Sequence, residues 1–176
     1  MSISDISKFA DLCEQAHEYC FSARCDPAVS LLLEEIIKLA EKDTSLAQDP
    51  RFFAAHWNLG LIYHDTDQYS RAIEHLRKGI SLLGAEDSDT YQAYRALGRS
   101  LFLQGQYHES VEPFEKALRL KKSDSDMLVL LGIAHIKTYE HTGEPEYLSR
   151  ARKVRTALES QSPDLVALLE RSHPGL

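Results

Sequence analysis

The chain of 176 residues, 43% of them hydrophobic, is long and apolar enough for one ordinary domain with a continuous core. Its formal net charge of −7 argues against partners that need a basic surface, namely nucleic acid and anionic membranes. The first residues lack the positive charge and apolar run of a signal peptide, and no later window is long and apolar enough to span a membrane. We therefore expect a cytoplasmic protein.

The three cysteines, Cys13, Cys20 and Cys25, match no metal-binding spacing, and their odd number rules out complete pairing. Reduced thiols are the simplest interpretation. Cys13 and Cys20 lie two helical turns apart, which favours two small core side chains on one face of a helix. A redox role is the alternative.

Helical periodicity runs through almost the whole chain, while proline and glycine fall between the periodic segments. We therefore predict an all-α fold. Asp26 with Pro27, Asp49 with Pro50, and Ser162 with Pro163 each place a capping side chain before a proline at the first helical position. The predicted helices span residues 3–23, 27–43, 50–65, 69–83, 88–104, 107–121, 124–141, 145–160 and 163–172.

A Leu-Gly pair divides this helical sequence into repeats, because residues 59–60 recur at 97–98 and again at 131–132. The second spacing is the 34-residue period of a known helical hairpin repeat, and the polar stretch 84–89 accommodates the four extra residues of the first. Over about residues 53–135 the chain resembles the tetratricopeptide repeat (TPR) family. The residues at family positions are Asn58, Leu59, Gly60, Tyr63, Tyr69, Ala72, Ile73 and Leu82, then Tyr94, Leu97, Gly98, Gly105, Tyr107, Ser110, Phe114, Ala117 and Leu120.

The resemblance implies a right-handed superhelix of about three to four TPR helical hairpins with a C-terminal capping helix. We assign residues 53–86 and 91–123 to regular repeats. Residues 125–160 form a divergent repeat whose first helix is about one turn too long. Residues 1–49 are a degenerate repeat or a capping hairpin, and residues 162–176 a capping helix and tail.

The family positions have a physical meaning of their own. Glycine at the eighth position and a small residue near the twentieth let the two helices of one hairpin approach closely, and large residues fill the space around that crossing. One hairpin cannot bury both of its faces. Neighbouring hairpins must therefore stack.

The eight histidines form no pair four residues apart with a carboxylate on the same turn, so we expect no metal site. Phosphate-binding loops and nucleophile elbows are missing as well, so we expect neither cofactor nor catalysis. His135 and His141 lie six residues apart near a helix edge, which favours exposure. His135 also takes the repeat's Tyr position, which favours a packed ring with satisfied hydrogen bonds.

In the family's superhelix, one stripe of the first helix of each repeat faces the concave surface. Here the stripe mixes large apolar side chains with two arginines one turn apart. This mixture suits an extended or helical peptide with apolar anchors and an acidic group. The expected partner-binding residues are Trp57, Asn58, Leu61, Arg95, Arg99, Phe102 and Ile133.

Other interpretations of these residues remain open. Trp57, the preferred anchor, has the alternative of filling the junction with the preceding hairpin, and the arginines that of pairing with nearby acidic residues. Co-chaperones of this family that grip the C-terminal carboxylate of heat-shock proteins use a set of Lys, Asn and Arg side chains. Only Asn58 matches that set, and Gln92 and Ala96 replace its final basic pair.

We expect the protein to be an adaptor or assembly factor that holds a partner segment in the concave groove. A dedicated secretion-type chaperone and a non-catalytic subunit of an enzyme complex are the alternatives, and homodimer formation is left open. The basic run at 150–155 is expected to be a solvated helix face, with a site for an acidic partner as the alternative.

Overall fold

The computed structural model describes residues 3–22, 26–43, 45–46, 49–83 and 88–176, without the side chains of residues 3–5, 17–22, 83 and 88–89. In these ranges the regular structure comprises nine α-helices, the short 3₁₀ turn Pro163–Leu165 and a 3₁₀ conformation at Leu46. The helices are α1 (Ile3–Ser22), α2 (Pro27–Glu41), α3 (Pro50–Asp65), α4 (Tyr69–Leu83), α5 (Ser88–Leu103), α6 (Tyr107–Leu120), α7 (Ser125–Thr142), α8 (Pro145–Gln161) and α9 (Val166–Ser172).

The predicted all-α fold is confirmed, and most helix ends agree with the predicted ones to within one residue. Helix α2 ends at Glu41, earlier than predicted, because the next two N–H groups bond to carbonyls three residues back and tighten the chain into a turn. The last predicted helix begins as the 3₁₀ turn for the same reason, since Leu165 N–H bonds to the Ser162 carbonyl at 3.0 Å.

Two of the three predicted caps are confirmed. The Asp26 carboxylate accepts from Ala28 N–H at 2.8 Å, and the Asp49 carboxylate accepts from Arg51 N–H at 2.9 Å. The prediction for Ser162 is wrong: its hydroxyl makes no cap and instead lies 2.7 Å from the Ser125 hydroxyl. The sequence could not indicate this competing partner, which lies on another helix.

The chain divides into two compact units, Met1–Glu86 and Asp87–Leu176, called here the N-terminal and C-terminal units. Consecutive helices pack in both. In the N-terminal unit α1 packs on α2, α2 on α3, and α3 on α4. In the C-terminal unit α5 packs on α6, α6 on α7, and α7 on α8, while α9 lies against α7 and α8.

A polar cluster fixes α2 on the hairpin of α3 and α4. The Tyr63 hydroxyl donates to Glu34 Oε1 at 2.7 Å, and Arg71 Nη2 lies 3.1 Å from the same oxygen. The Arg71 guanidinium also covers the Tyr63 ring at 4.0 Å. Burial and this hydrogen bond raise the pKa of Tyr63 to about 12, so the phenol remains a donor at neutral pH.

Glycines permit the close helix crossings that the family pattern predicts. A Cβ atom on Gly60 would lie 2.6 Å from Leu76 Cγ, and one on Gly98 would lie 2.5 Å from Phe114 Cδ1. Ala72 and Ser110, the small residues of the pattern, are both fully buried. The side chain of the second helix therefore occupies the space that the glycine leaves free.

The divergent third hairpin uses the same device with a different neighbour. A Cβ atom on Gly132 would lie 2.7 Å from Leu169 Cδ2, so the short α9 fills the space over this glycine. Helix α7 has 18 residues where α3 and α5 have 16, so it is longer than they are, by about half a turn rather than the predicted full turn. It ends at Gly143, whose φ of 73° is a left-handed conformation that favours glycine.

Gly98→Ala is predicted to destabilise the C-terminal unit. The fully buried Phe114 ring cannot move away from the new methyl group. Overpacking of this kind costs about 1–3 kcal/mol of stability. The better helix propensity of alanine offsets about 1 kcal/mol of that cost. The free energy of unfolding measured in urea should therefore fall by a net amount of up to about 2 kcal/mol.

The Gly98→Ala/Phe114→Leu double variant is the control for this explanation. A smaller side chain at position 114 relieves the clash, so the double variant should lose at least about 0.5 kcal/mol less than the sum of the single losses. Strictly additive losses would contradict a direct contact between the two positions.

Candidate partner-binding site

The predicted residues of the N-terminal unit all lie on α3. Trp57 is half-buried, its ring stacks on Phe53 with centroids 5.9 Å apart, and its indole N–H is buried without a hydrogen-bond partner among the described residues. Asn58 donates to the Ala54 carbonyl of its own helix at 2.9 Å. Leu61 is buried, with 8% of its surface exposed. Of these three, Trp57 and Asn58 remain partly exposed and Leu61 does not.

The backbone at Trp57 also belongs to a helix crossing. A Cβ atom on Gly79 of α4 would lie 3.3 Å from Trp57 N, so α3 and α4 approach closely there. The tryptophan therefore contributes to the packing of its own hairpin as well as to the surface.

The predicted residues of the C-terminal unit lie on two helices in contact, α5 and α7. Arg95, Arg99 and Phe102 follow one stripe of α5, and Ile133 is half-buried on α7. The Phe102 ring makes an edge contact with Tyr107 at 5.2 Å, so part of this side chain packs inside its own hairpin.

The two arginines differ in their surroundings. Arg95 Nε lies 3.9 Å from Asp124 Oδ2 and makes no hydrogen bond, so this arginine has an acidic neighbour, as the alternative interpretation required. Arg99 is half-buried, and within the described ranges it makes neither a hydrogen bond nor an ion pair. Its charge is therefore left without a partner inside the described part of the chain.

A polar cleft of about 380 Å³ surrounds the first of these arginines. Asp124 lines this cleft and accepts hydrogen bonds from the Tyr91 hydroxyl and, at 3.0 Å, from Met127 N–H at the start of α7. The ammonium of Lys121 lies 5.5 Å from the centroid of the Tyr91 ring. The lining residues are Tyr91, Gln92, Arg95, Lys121, Ser123, Asp124, Ser125 and Asp126.

Hydrogen bonding fixes the protonation states in this cleft. Burial opposes ionisation of Asp124, but the bonds from Tyr91 and Met127 N–H outweigh it and lower the pKa of the carboxyl group. Burial, with the bond to Asp124, raises the pKa of Tyr91 to about 12. Tyr91, Lys121 and Asp124 are not predictable as a set from the sequence, because only the contact between α5 and the loop before α7 brings them together.

The histidines show that buried rings here belong to the core. His56 and His75 pair through their Nδ1 atoms at 3.0 Å, and His56 Nε2 is buried without a partner. The expectation that His135 is exposed is wrong, since only 2% of it is, while His141 is exposed as predicted. The expected packing of the His135 ring agrees with this burial, but the expected hydrogen bonding does not hold fully, because among the described residues its buried Nδ1 has no hydrogen-bond partner.

Two further sequence predictions concern metal binding and the cysteines. Among the described residues, no group of three or more His, Cys, Asp or Glu side chains is placed to hold a metal ion. Cys13 is half-buried, and burial raises the pKa of its thiol to about 11, which disfavours the reactive thiolate. The side chain of Cys20 and the whole of Cys25 lie outside the described residues.

The basic run on α8 is largely solvent-facing. Arg150 pairs with Glu146 at 2.6 Å, and Arg155 pairs with Glu159 at 2.8 Å. Arg152 and Lys153 are exposed. This arrangement agrees with the predicted solvated helix face.

Acid is predicted to destabilise the protein through its buried histidines. Burial lowers the pKa of His135 from 6.5 to about 4, so between these pH values the unfolded chain binds more protons than the folded one. The free energy of unfolding must therefore fall as the pH falls through this window. Between pH 7 and pH 4.5, the free energy of unfolding of His135→Phe should fall by about 2 kcal/mol less than that of the unchanged protein. Urea unfolding at the two pH values measures this difference.

His141→Gln provides the control, because this side chain is already exposed in the folded protein. Its unfolding free energy should follow that of the unchanged protein at both pH values. If the free energy of unfolding of His135→Phe falls between the two pH values as much as that of the unchanged protein, His135 is not protonated on unfolding.

The class of this protein follows from its helix packing and from the families that its sequence matches. The paired, consecutively packed helices are those of a helical hairpin repeat protein. Two models of the tetratricopeptide repeat family match, one over residues 51–123 and one over residues 95–157, and together they span more than half of the chain. The chain belongs to the TPR family, and its repeats make it a protein–protein interaction module. Among curated protein sequences, none matches it significantly.

Solved structures show the same fold at low sequence identity. YrrB, described as a TPR protein with an unusual peptide-binding site, is 15% identical, with a TM-score of 0.57 over 93% of this chain and 94% of that one. A putative kinesin light chain of Podosopora anserina with nearly identical TPR-like repeats is 18% identical, with a TM-score of 0.57 over 94% and 93%. MamA is 23% identical, with a TM-score of 0.53 over 79% and 77%.

In the described part of the chain, no helix has both the length and the apolar composition that a membrane crossing requires.

Proposed function

We propose that this TPR protein is an adaptor or assembly factor that binds a segment of a partner protein on the face of α5 and α7. The face is defined by Arg95, Arg99, Phe102 and Ile133, with Trp57, Asn58 and Leu61 of α3 as a second set in the N-terminal unit. A cytoplasmic location is part of the proposal and rests on the expectation of reduced thiols.

Arg99 is the observation that carries this proposal. A half-buried guanidinium has lost part of its hydration, and it is normally compensated by an acidic or carbonyl partner. Arg99 has none among the described residues, whereas Arg95, one turn earlier, has Asp124 nearby. An acceptor on a bound peptide would supply the missing compensation, and Phe102 and Ile133 offer apolar surface for a neighbouring side chain.

The peptide mode also agrees with a structural neighbour. YrrB is described as having a peptide-binding site, and the present chain covers almost the whole of it with the same fold. We propose a peptide ligand by analogy, since the low identity carries over no individual residue.

Selection from a random peptide library displayed on phage, followed by fluorescence polarisation, tests the proposal. Selected peptides should combine apolar residues with an acidic residue. Arg99→Ala should weaken their binding by about tenfold or more, because a guanidinium hydrogen-bonded at the centre of an interface is typical of a binding hot spot. Arg99→Lys keeps the positive charge but not the planar guanidinium. Its affinity for the peptides should therefore lie between those of the unchanged protein and of Arg99→Ala.

Arg152→Ala is the matched control, since Arg152 is an exposed arginine on α8. It should leave the affinity unchanged. Circular dichroism and urea unfolding establish that each variant is folded. If the folded Arg99 variants bind every selected peptide as tightly as the unchanged protein does, the proposed face is wrong.

A further inference from the structure

We propose that the polar cleft beside α5 binds a carboxylate group of the partner, held between Arg95 and Lys121. This inference rests on the proposed function, because it assigns the chemistry of one contact within that interaction. The cleft lies at the start of α5, one helical turn before Arg99, and is formed by the C-terminal unit alone.

The donors and acceptors of the cleft are unequally satisfied. Asp124 already accepts two hydrogen bonds, from the Tyr91 hydroxyl and from Met127 N–H. Arg95 makes no hydrogen bond, although its Nε is buried, and Lys121 has no ion pair among the described residues. The Arg95 guanidinium and the Lys121 ammonium therefore keep N–H groups that a negatively charged acceptor can engage, while the remaining carboxylate of the lining, Asp126, is exposed.

Arg95 is positioned to respond to such a ligand. Its side chain is 34% exposed, so a ligand can reach the terminal guanidinium nitrogens. Since no hydrogen bond fixes the guanidinium, it can rotate to present two N–H groups to a carboxylate at little energetic cost. Lys121 lies across the Tyr91 ring and supplies a second cation to the same cleft.

The charges of the lining favour a singly charged ligand. Arg95 and Lys121 are opposed by Asp124 and Asp126, which also line the cleft. Because the two cations are balanced by two carboxylates, the lining carries no net positive charge with which to hold a phosphate dianion. The volume of about 380 Å³ is that of a small ligand site and holds a carboxylate with the peptide unit next to it.

A peptide can supply this group from its C-terminus or from an Asp or Glu side chain. NMR titration of the ¹⁵N-labelled full chain distinguishes the two. The readout is the Nε–Hε signal of Arg95, assigned by its loss in Arg95→Lys. The probes are N-acetylglycylglycine for the terminal carboxylate, N-acetylglutamate α-amide for the side chain, N-acetylglutamine amide without a carboxylate, and inorganic phosphate, all at equal ionic strength.

At least one of the two carboxylate probes should shift the Arg95 signal along a saturable curve with millimolar affinity, as expected for a single carboxylate contact. The glutamine amide should not shift it, and phosphate should bind more weakly. Lys121→Ala should weaken the binding by about threefold to tenfold, as expected for loss of a partly exposed charge. Lys122→Ala is the matched control, since this exposed lysine does not line the cleft, and it should bind as the unchanged protein does.

Three results would overturn the inference: no saturation below about 100 mM, an equal response to the glutamine amide, or stronger binding of phosphate. Its failure is separable from failure of the proposed function. If selected peptides bind through Arg99 while their acidic groups leave the Arg95 signal unmoved, only the carboxylate assignment fails. If library selection yields no peptide, the proposed function fails whatever the small probes show.

Discussion

The close crossing of the two helices in each hairpin is the constraint on which the rest of the structure depends. At Gly60 and Gly98 the second helix places Leu76 and Phe114 where a Cβ atom would otherwise lie. At Gly132 the neighbour is Leu169 of α9. Because interiors are close-packed, a crossing at this distance fixes which faces of the two helices are buried. The opposite stripe of the first helix is then left for other contacts.

The side chains on that stripe are partly used by the fold itself. Phe102 packs on Tyr107, so this ring is held in place before a partner binds, while Arg95 lies near Asp124 without a hydrogen bond. Such preorganisation lowers the entropic cost of binding. Arg99 is different, because the described part of the chain provides no partner for it. The face therefore combines a fixed apolar and polar framework with an uncompensated charge.

Local signals made the helices and the hairpin crossings predictable. Proline after aspartate marked the starts of α2 and α3, and the Leu-Gly recurrence marked the crossings. Contacts between segments far apart in sequence were not predictable from one chain. The Ser162 hydroxyl lies beside the Ser125 hydroxyl, and Asp124 accepts a hydrogen bond from Tyr91 of another helix. The His135 ring is buried with one nitrogen that has no hydrogen-bond partner among the described residues. Each depends on the packing of two helices, which periodicity does not specify.

Site-specific photocrosslinking tests most directly whether the partner binds on the face of α5 and α7. A benzophenone amino acid is placed at position 102 on α5 or at position 112 on α6, where the Glu112 side chain is 75% exposed, and a selected peptide is added. The account predicts an efficient crosslink from position 102 and none above background from position 112. A crosslink from position 112 with none from position 102 would contradict it.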